Sequence, residues 1–114
     1  MTFKNRIWLE TDSGILLGRG RLKLLLAIKE HGSINKAAKS IDMSYKKAWK
    51  LIDQLNKNAS GAVVEKSTGG KGGGGTFITP FGLLLIQHFE AVNKRCTQFL
   101  HEQSLEFNKA IMNK

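Results

Sequence analysis

A chain of 114 residues, 41% of them hydrophobic, is the size of one domain and holds enough apolar material for a core, which argues against disorder. Its 18 lysines and arginines outweigh 9 acidic residues, and the net charge of +9 favours an anionic partner, nucleic acid first and an acidic membrane surface second. The single cysteine, Cys96, leaves no intramolecular disulfide to form. No apolar run approaches a membrane span or a signal peptide, so the expectation is a cytoplasmic protein with no membrane partner.

Along the chain, Ile7, Leu9 and Ile15-Leu16-Leu17 flank Thr11-Asp12-Ser13-Gly14. β-type residues around a turn predict a hairpin over about residues 6–17. From Arg21, the spacing of Leu22, Leu25, Leu26 and Lys29 predicts a helix that His31-Gly32 closes. Ser33 is a good N-cap for a second helix, with apolar Ile34, Ala37, Ala38 and Ile41 at i, i+3, i+4 and i+7. That helix stops at Asp42-Met43. Ser44 caps a third, which repeats the same offsets with Ala48, Leu51, Ile52 and Leu55. Ala62-Val63-Val64 and Thr76-Phe77-Ile78 read as strands around the run STGGKGGGG. Thr79-Pro80, an N-cap followed by proline at the first helical position, opens a last helix to about Gln103 or beyond.

The segment from Ser33 to Lys57 carries the strongest functional signal. Two short helices are separated by about three residues, and the first apolar stripe is built on alanines that let the second helix cross closely. That is the requirement of a helix-turn-helix. Asp42 stands at the turn position often held by glycine and tolerates a left-handed backbone better than most residues. The second helix opens with Ser44, Tyr45, Lys46, Lys47, Trp49 and Lys50 and carries no acid until Asp53. Recognition helices present such residues to the major groove, where lysines reach phosphates or guanine acceptors. The alternatives are a solvated lysine face and a tryptophan packed in a groove of the fold.

Three readings compete for the glycine run, which holds six of the 12 glycines. A Walker loop needs Ser or Thr after Gly-Lys, but Gly72 follows Gly70-Lys71, and Glu65 stands where its first glycine belongs. A dinucleotide fingerprint needs a helix directly after the loop, but a strand follows. A flexible linker has no second domain to join. What remains is the tip of a wing, with Lys66, Ser67, Thr68 and Lys71 directed at phosphates or a minor groove. The candidate DNA-binding set is Ser33, Lys36, Ser44, Tyr45, Lys46, Lys47, Trp49, Lys50, Lys66, Ser67, Thr68 and Lys71.

In the last helix, Leu85, Phe89, Val92, Cys96 and Phe99 alternate spacings of four and three, a heptad-like seam that points to dimerisation. The expected organisation is a winged helix-turn-helix over residues 1–80 (helix-turn-helix 33–57, wing 62–79) and a dimerisation helix over 81–114. The fold class is mainly α with small β. His31, His88, His101 and Cys96 are not spaced to converge on a metal, and no catalytic constellation is visible, so neither a cofactor nor an enzyme activity is expected.

The motifs GRGRLKLLLAIKEHGSINKAAK, MSYKKAWKLIDQLN and VVEKSTGGKGGGGTFITPFG resemble the N-terminal DNA-binding domain of ModE-type, molybdate-responsive transcription regulators, a LysR-like winged helix. The resemblance covers Arg21 to Phe89. It implies a homodimer formed through elements flanking the winged helix. It also implies contacts to double-stranded DNA from Ser44, Tyr45, Lys46, Lys47, Thr68 and Lys71. Full-length regulators of this type continue into oxyanion-binding domains, whereas this sequence ends at Lys114, so no molybdate site is expected within it. Two other readings stay open: a winged-helix protein-interaction module that does not read DNA, and an RNA-binding winged helix, which the few exposed aromatics disfavour.

Overall fold

The computed structural model describes residues 1–67 and 75–112. The chain order is β1 (Leu9–Thr11), β2 (Gly14–Leu17), α1 (Arg19–His31), α2 (Ile34–Ser40), α3 (Tyr45–Asn58), β3 (Val64–Lys66), β4 (Thr76–Ile78) and α4 (Pro80–Met112). Each strand pair is an antiparallel hairpin of its own, β1 with β2 and β3 with β4. The fold is therefore mainly helical with small β, as the sequence predicts.

Local chemistry sets most boundaries. Gly32 adopts the left-handed conformation (φ 65°), and its N–H donates to the Ile28 carbonyl at 2.8 Å, closing α1. The Ser33 and Ser44 hydroxyls accept from the backbone N–H groups of Lys36 (3.2 Å) and Lys47 (3.1 Å), capping α2 and α3. Between these helices Asp42 takes φ 57°, so the aspartate stands in for a turn glycine. Ala37, Ala38 and Ala48 are all buried at the crossing of α2 with α3.

One core joins β2, α1, α2, α3, the wing strands and the first turns of α4. Leu17, Leu24, Leu25, Ile28, Leu55 and Val63 are its largest fully enclosed side chains. The buried face of α1 is not the set of residues whose spacing marks the helix. Leu24, Leu25, Ala27 and Ile28 point inward and Leu26 is exposed, because α1 packs against α2, β2 and β4 together rather than against one neighbour.

The wing also begins later than expected. The paired strand is Val64–Lys66, not Ala62–Val64, because other groups take the backbone of residues 62 and 63. The Asn56 carboxamide oxygen accepts from the N–H groups of Val63 (2.9 Å) and Val64 (3.1 Å), and its nitrogen donates to the Val64 carbonyl (2.9 Å). The Thr79 hydroxyl donates to the Ala62 carbonyl at 2.6 Å and accepts from the Gly82 N–H at 3.0 Å, so one buried side chain ties the segment before β3 to the start of α4. At Gly82 an added Cβ would lie 2.5 Å from the Val63 carbonyl oxygen and 2.7 Å from Ile78 Cγ2. Only glycine lets α4 sit this close to the wing strands.

Candidate nucleic-acid interface

α3 buries Ala48, Ile52 and Leu55. At 100° per residue this stripe places Lys46 and Lys50 on the opposite side, with Trp49 on one flank and Lys47 on the other. Tyr45 is 49% exposed and Trp49 40% exposed, high for residues that usually bury their rings. The two N-cap hydroxyls accept from their own helices and retain O–H groups for an outside acceptor.

Three elements meet at the start of α3. Ser33, Ile34 and Asn35 at the head of α2, Tyr45 of α3, and Gly75 and Thr76 at the base of the wing line a shared cavity of about 170 Å³. The Thr76 N–H donates to the Gly32 carbonyl at 2.9 Å, and a Cβ on Gly75 would stand 2.9 Å from that same oxygen. The wing base is thus pinned to the turn between α1 and α2. Across it, the Ser67 N–H donates to the Gly75 carbonyl at 2.8 Å, and the Gly75 N–H donates to the Ser67 hydroxyl at 3.1 Å.

Lys66 Nζ lies 5.3 Å from the centroid of the Trp49 ring, within cation–π range. This contact joins the wing to the flank of α3 and settles the environment of Trp49: the ring is neither free nor enclosed in the core. Ser33, Lys36, Ser44, Tyr45, Lys46, Lys47, Trp49, Lys50, Lys66 and Ser67 all lie on α2, α3 or the wing base, and all but half-buried Ser33 are exposed. Thr68 and Lys71 lie outside the described residues. Among the described residues Lys57 pairs with Asp53 at 2.9 Å and the His31 ring lies 3.9 Å from the Glu30 carboxylate, and Lys36, Lys46, Lys47, Lys50 and Lys66 have no carboxylate within bridging distance.

The expected seam of α4 divides. Phe89 is buried in the chain's own core and Leu85 packs beside it. Cys96 is half-buried, while Val92 and Phe99 are 51% and 58% exposed. Among the described residues no group of three or more His, Cys, Asp or Glu could hold a metal, and no helix is long and apolar enough to cross a membrane.

Sequence reasoning missed Asn56, and it missed the arginines Arg6 and Arg19, which line one cavity with Lys47. Asn56 gave one signal: an amide placed just before the wing, next to a segment whose backbone needs partners.

Residues 20–83 match the family described as bacterial regulatory helix-turn-helix protein, lysR family. The chain is 38% identical over 107 residues to the molybdenum transport protein ModE of Azotobacter vinelandii, covering 94% of this chain and 40% of that protein. It is 44% identical over 70 residues to the DNA-binding transcriptional dual regulator ModE of Escherichia coli, covering 61% of this chain and 27% of the relative. The chain thus spans well under half the length of these relatives. Among solved structures, a CbnR_DBD-DNA complex superposes with TM-score 0.55 at 18% identity, covering 82% of this chain and 95% of that one. MepR of S. aureus gives 0.60 at 16% identity, covering 85% and 75%. At these identities the structural likeness establishes the winged-helix fold.

Proposed function

Since the chain belongs to the lysR family of bacterial regulatory helix-turn-helix proteins, a family of regulators and not of enzymes, we propose that it is the double-stranded-DNA-binding part of a cytoplasmic transcription regulator and that it works as a homodimer. The observation that carries the reading is the outward face of α3. Among the described residues Lys46 and Lys50 stand there unpaired with any carboxylate, beside exposed Tyr45 and Trp49, and Lys66 of the wing closes one flank. In this reading α3 enters the major groove. Lys46 and Lys50 reach phosphates or guanine acceptors, and Ser44 and Tyr45 donate to base edges or backbone oxygens. The wing, with Lys66, Ser67, Thr68 and Lys71, runs along the backbone or into the minor groove. Ser33 and Lys36 contact the strand beside α2. Val92 and Phe99 supply the outward apolar positions of α4 that meet a second copy, with Cys96 between them.

Selection from a random duplex pool tests this. Two-fold symmetry predicts enrichment of palindromic half-sites about one helical turn, or a multiple of it, apart. A pool that emerges without a shared sequence, with salt-insensitive retention, would overturn the reading in favour of a protein-interaction module.

A further inference from the structure

Arg6 and Arg19 together line two adjoining cavities, one of about 400 Å³ and one of about 60 Å³. Lys47 of α3 joins them in the larger one, with Trp8, Met43 and Leu51. No aspartate or glutamate lines either cavity, and neither arginine nor Lys47 takes part in an ion pair among the described residues. Glu10, the acid nearest to Arg6 in sequence, accepts from the Trp8 indole N–H at 2.6 Å. Arg21 is already engaged, donating to the Ile15 carbonyl and, at 2.9 Å, to the Gln54 side chain. The first turn of α1 also opens here: Gly18 caps it with no side-chain acceptor, and Gly18, Arg19 and Gly20 line the larger cavity. Gathering cations without a counter-charge is unfavourable in the free protein. The cost is recovered when an anion binds.

The cluster lies on the flank of α3 away from the wing, since Trp49 and Lys66 occupy the other flank. A helix inserted in a major groove about 12 Å wide has a phosphate backbone along each side. We propose that Arg6 and Arg19, together with Lys47 and the open first turn of α1, seat backbone phosphates of the DNA strand across the groove from the wing. The proposal rests on α3 being the recognition helix. It extends the interface to the segment before β1 and to the start of α1.

The test uses anisotropy of a fluorescein-labelled random duplex of about 25 bp, titrated over a salt series. Wild type gives a steep dependence of log affinity on log salt. Arg6→Ala/Arg19→Ala should flatten that slope by about 1.8, at roughly 0.9 per lost phosphate, and weaken binding roughly 10- to 100-fold near 0.1 M salt. Arg6→Lys/Arg19→Lys should keep most of the slope. Arg6→Gln alone removes a side chain that makes no hydrogen bond among the described residues. It should lower the slope by about 0.9 with an unchanged circular dichroism spectrum, even if the double variant folds poorly.

Unchanged slopes in both variants, beside a salt-sensitive wild type, would overturn this proposal and leave the recognition-helix reading standing. A wild type that binds no duplex would overturn both. If Arg6→Gln instead turned dimers into monomers in sedimentation at an unchanged slope, the cluster would be an interface between copies and the proposal would fall.

Discussion

The two ends of this elongated molecule are built on different terms. In the head, from Ile7 to Phe89, β2, the wing strands, α1, α2, α3 and the first turns of α4 share one core, and the polar groups at its joints are paired: Asn56 with the backbone of β3, Thr79 with Ala62 and Gly82. Beyond Phe89, α4 continues to Met112, and Ser104 is its only buried residue there. What covers this part is an extended N-terminal strap. The Phe3 N–H donates to the Ser104 hydroxyl at 2.8 Å, the rings of Phe3 and Phe107 meet edge-on at 5.1 Å, and Met1 and Asn108 exchange hydrogen bonds of 3.0 and 2.6 Å. Val92, Phe99 and Leu105 stay more than half exposed. The head gains its stability from its own burial. The tail holds an apolar surface that its own chain does not cover, as expected of an element that meets a partner.

Substitutions should separate the two ends. Phe89→Lys places an ammonium in a site only 8% exposed and should cost about 3 kcal/mol or more in urea unfolding. Val92→Lys, three residues further on, should leave the unfolding midpoint of the head within about 0.5 kcal/mol yet shift sedimentation towards monomer. If both variants unfold the head alike, the division between head and tail is wrong. Asn56→Ala strips partners from two N–H groups and a carbonyl at the root of the wing. At about 1–3 kcal/mol per buried unsatisfied group, moderated by partial solvent access, it should cost about 2–3 kcal/mol and speed hydrogen exchange at Val63 and Val64.

Gly82→Ala forces a methyl against the Val63 carbonyl. The overpacking cost of about 1–3 kcal/mol exceeds the gain of about 1 kcal/mol in helix propensity, so the thermal midpoint should fall. A local effect belongs to the strap on the tail. Ser104→Ala frees the Phe3 N–H and should cost about 1 kcal/mol, seen as faster exchange in residues 1–5 with the head unmoved.

How much was legible in the sequence follows from how far each interaction reaches. The caps at Ser33, Ser44 and Thr79, the left-handed Gly32 and Asp42, and the alanine crossing are local chemistry, and all stand where the sequence puts them. Strand β3 was misplaced by two residues because Asn56 and Thr79, distant in the chain, claim the backbone before it. The spacing that marks α1 does not say which of its leucines are enclosed: Leu24 and Leu25 are buried and Leu26 is exposed, because the helix meets several neighbours. The heptad spacing of α4 marked apolar positions without saying which surface each meets, and Phe89 turned out to be enclosed in the head. The cationic face of α3 was legible as a run. The meeting of Arg6 and Arg19 with Lys47 was not, since it joins segments of chain far apart in sequence.

The central claim is that the exposed cationic face of α3 binds duplex DNA. The most direct measurement is the affinity of wild type and of Lys46→Ala/Lys47→Ala for one labelled duplex across a salt series. The account predicts steep salt dependence for wild type, a slope shallower by about 1.8 for the double variant, and weaker binding to every sequence tried. Equal affinities and equal slopes for the two proteins would contradict it.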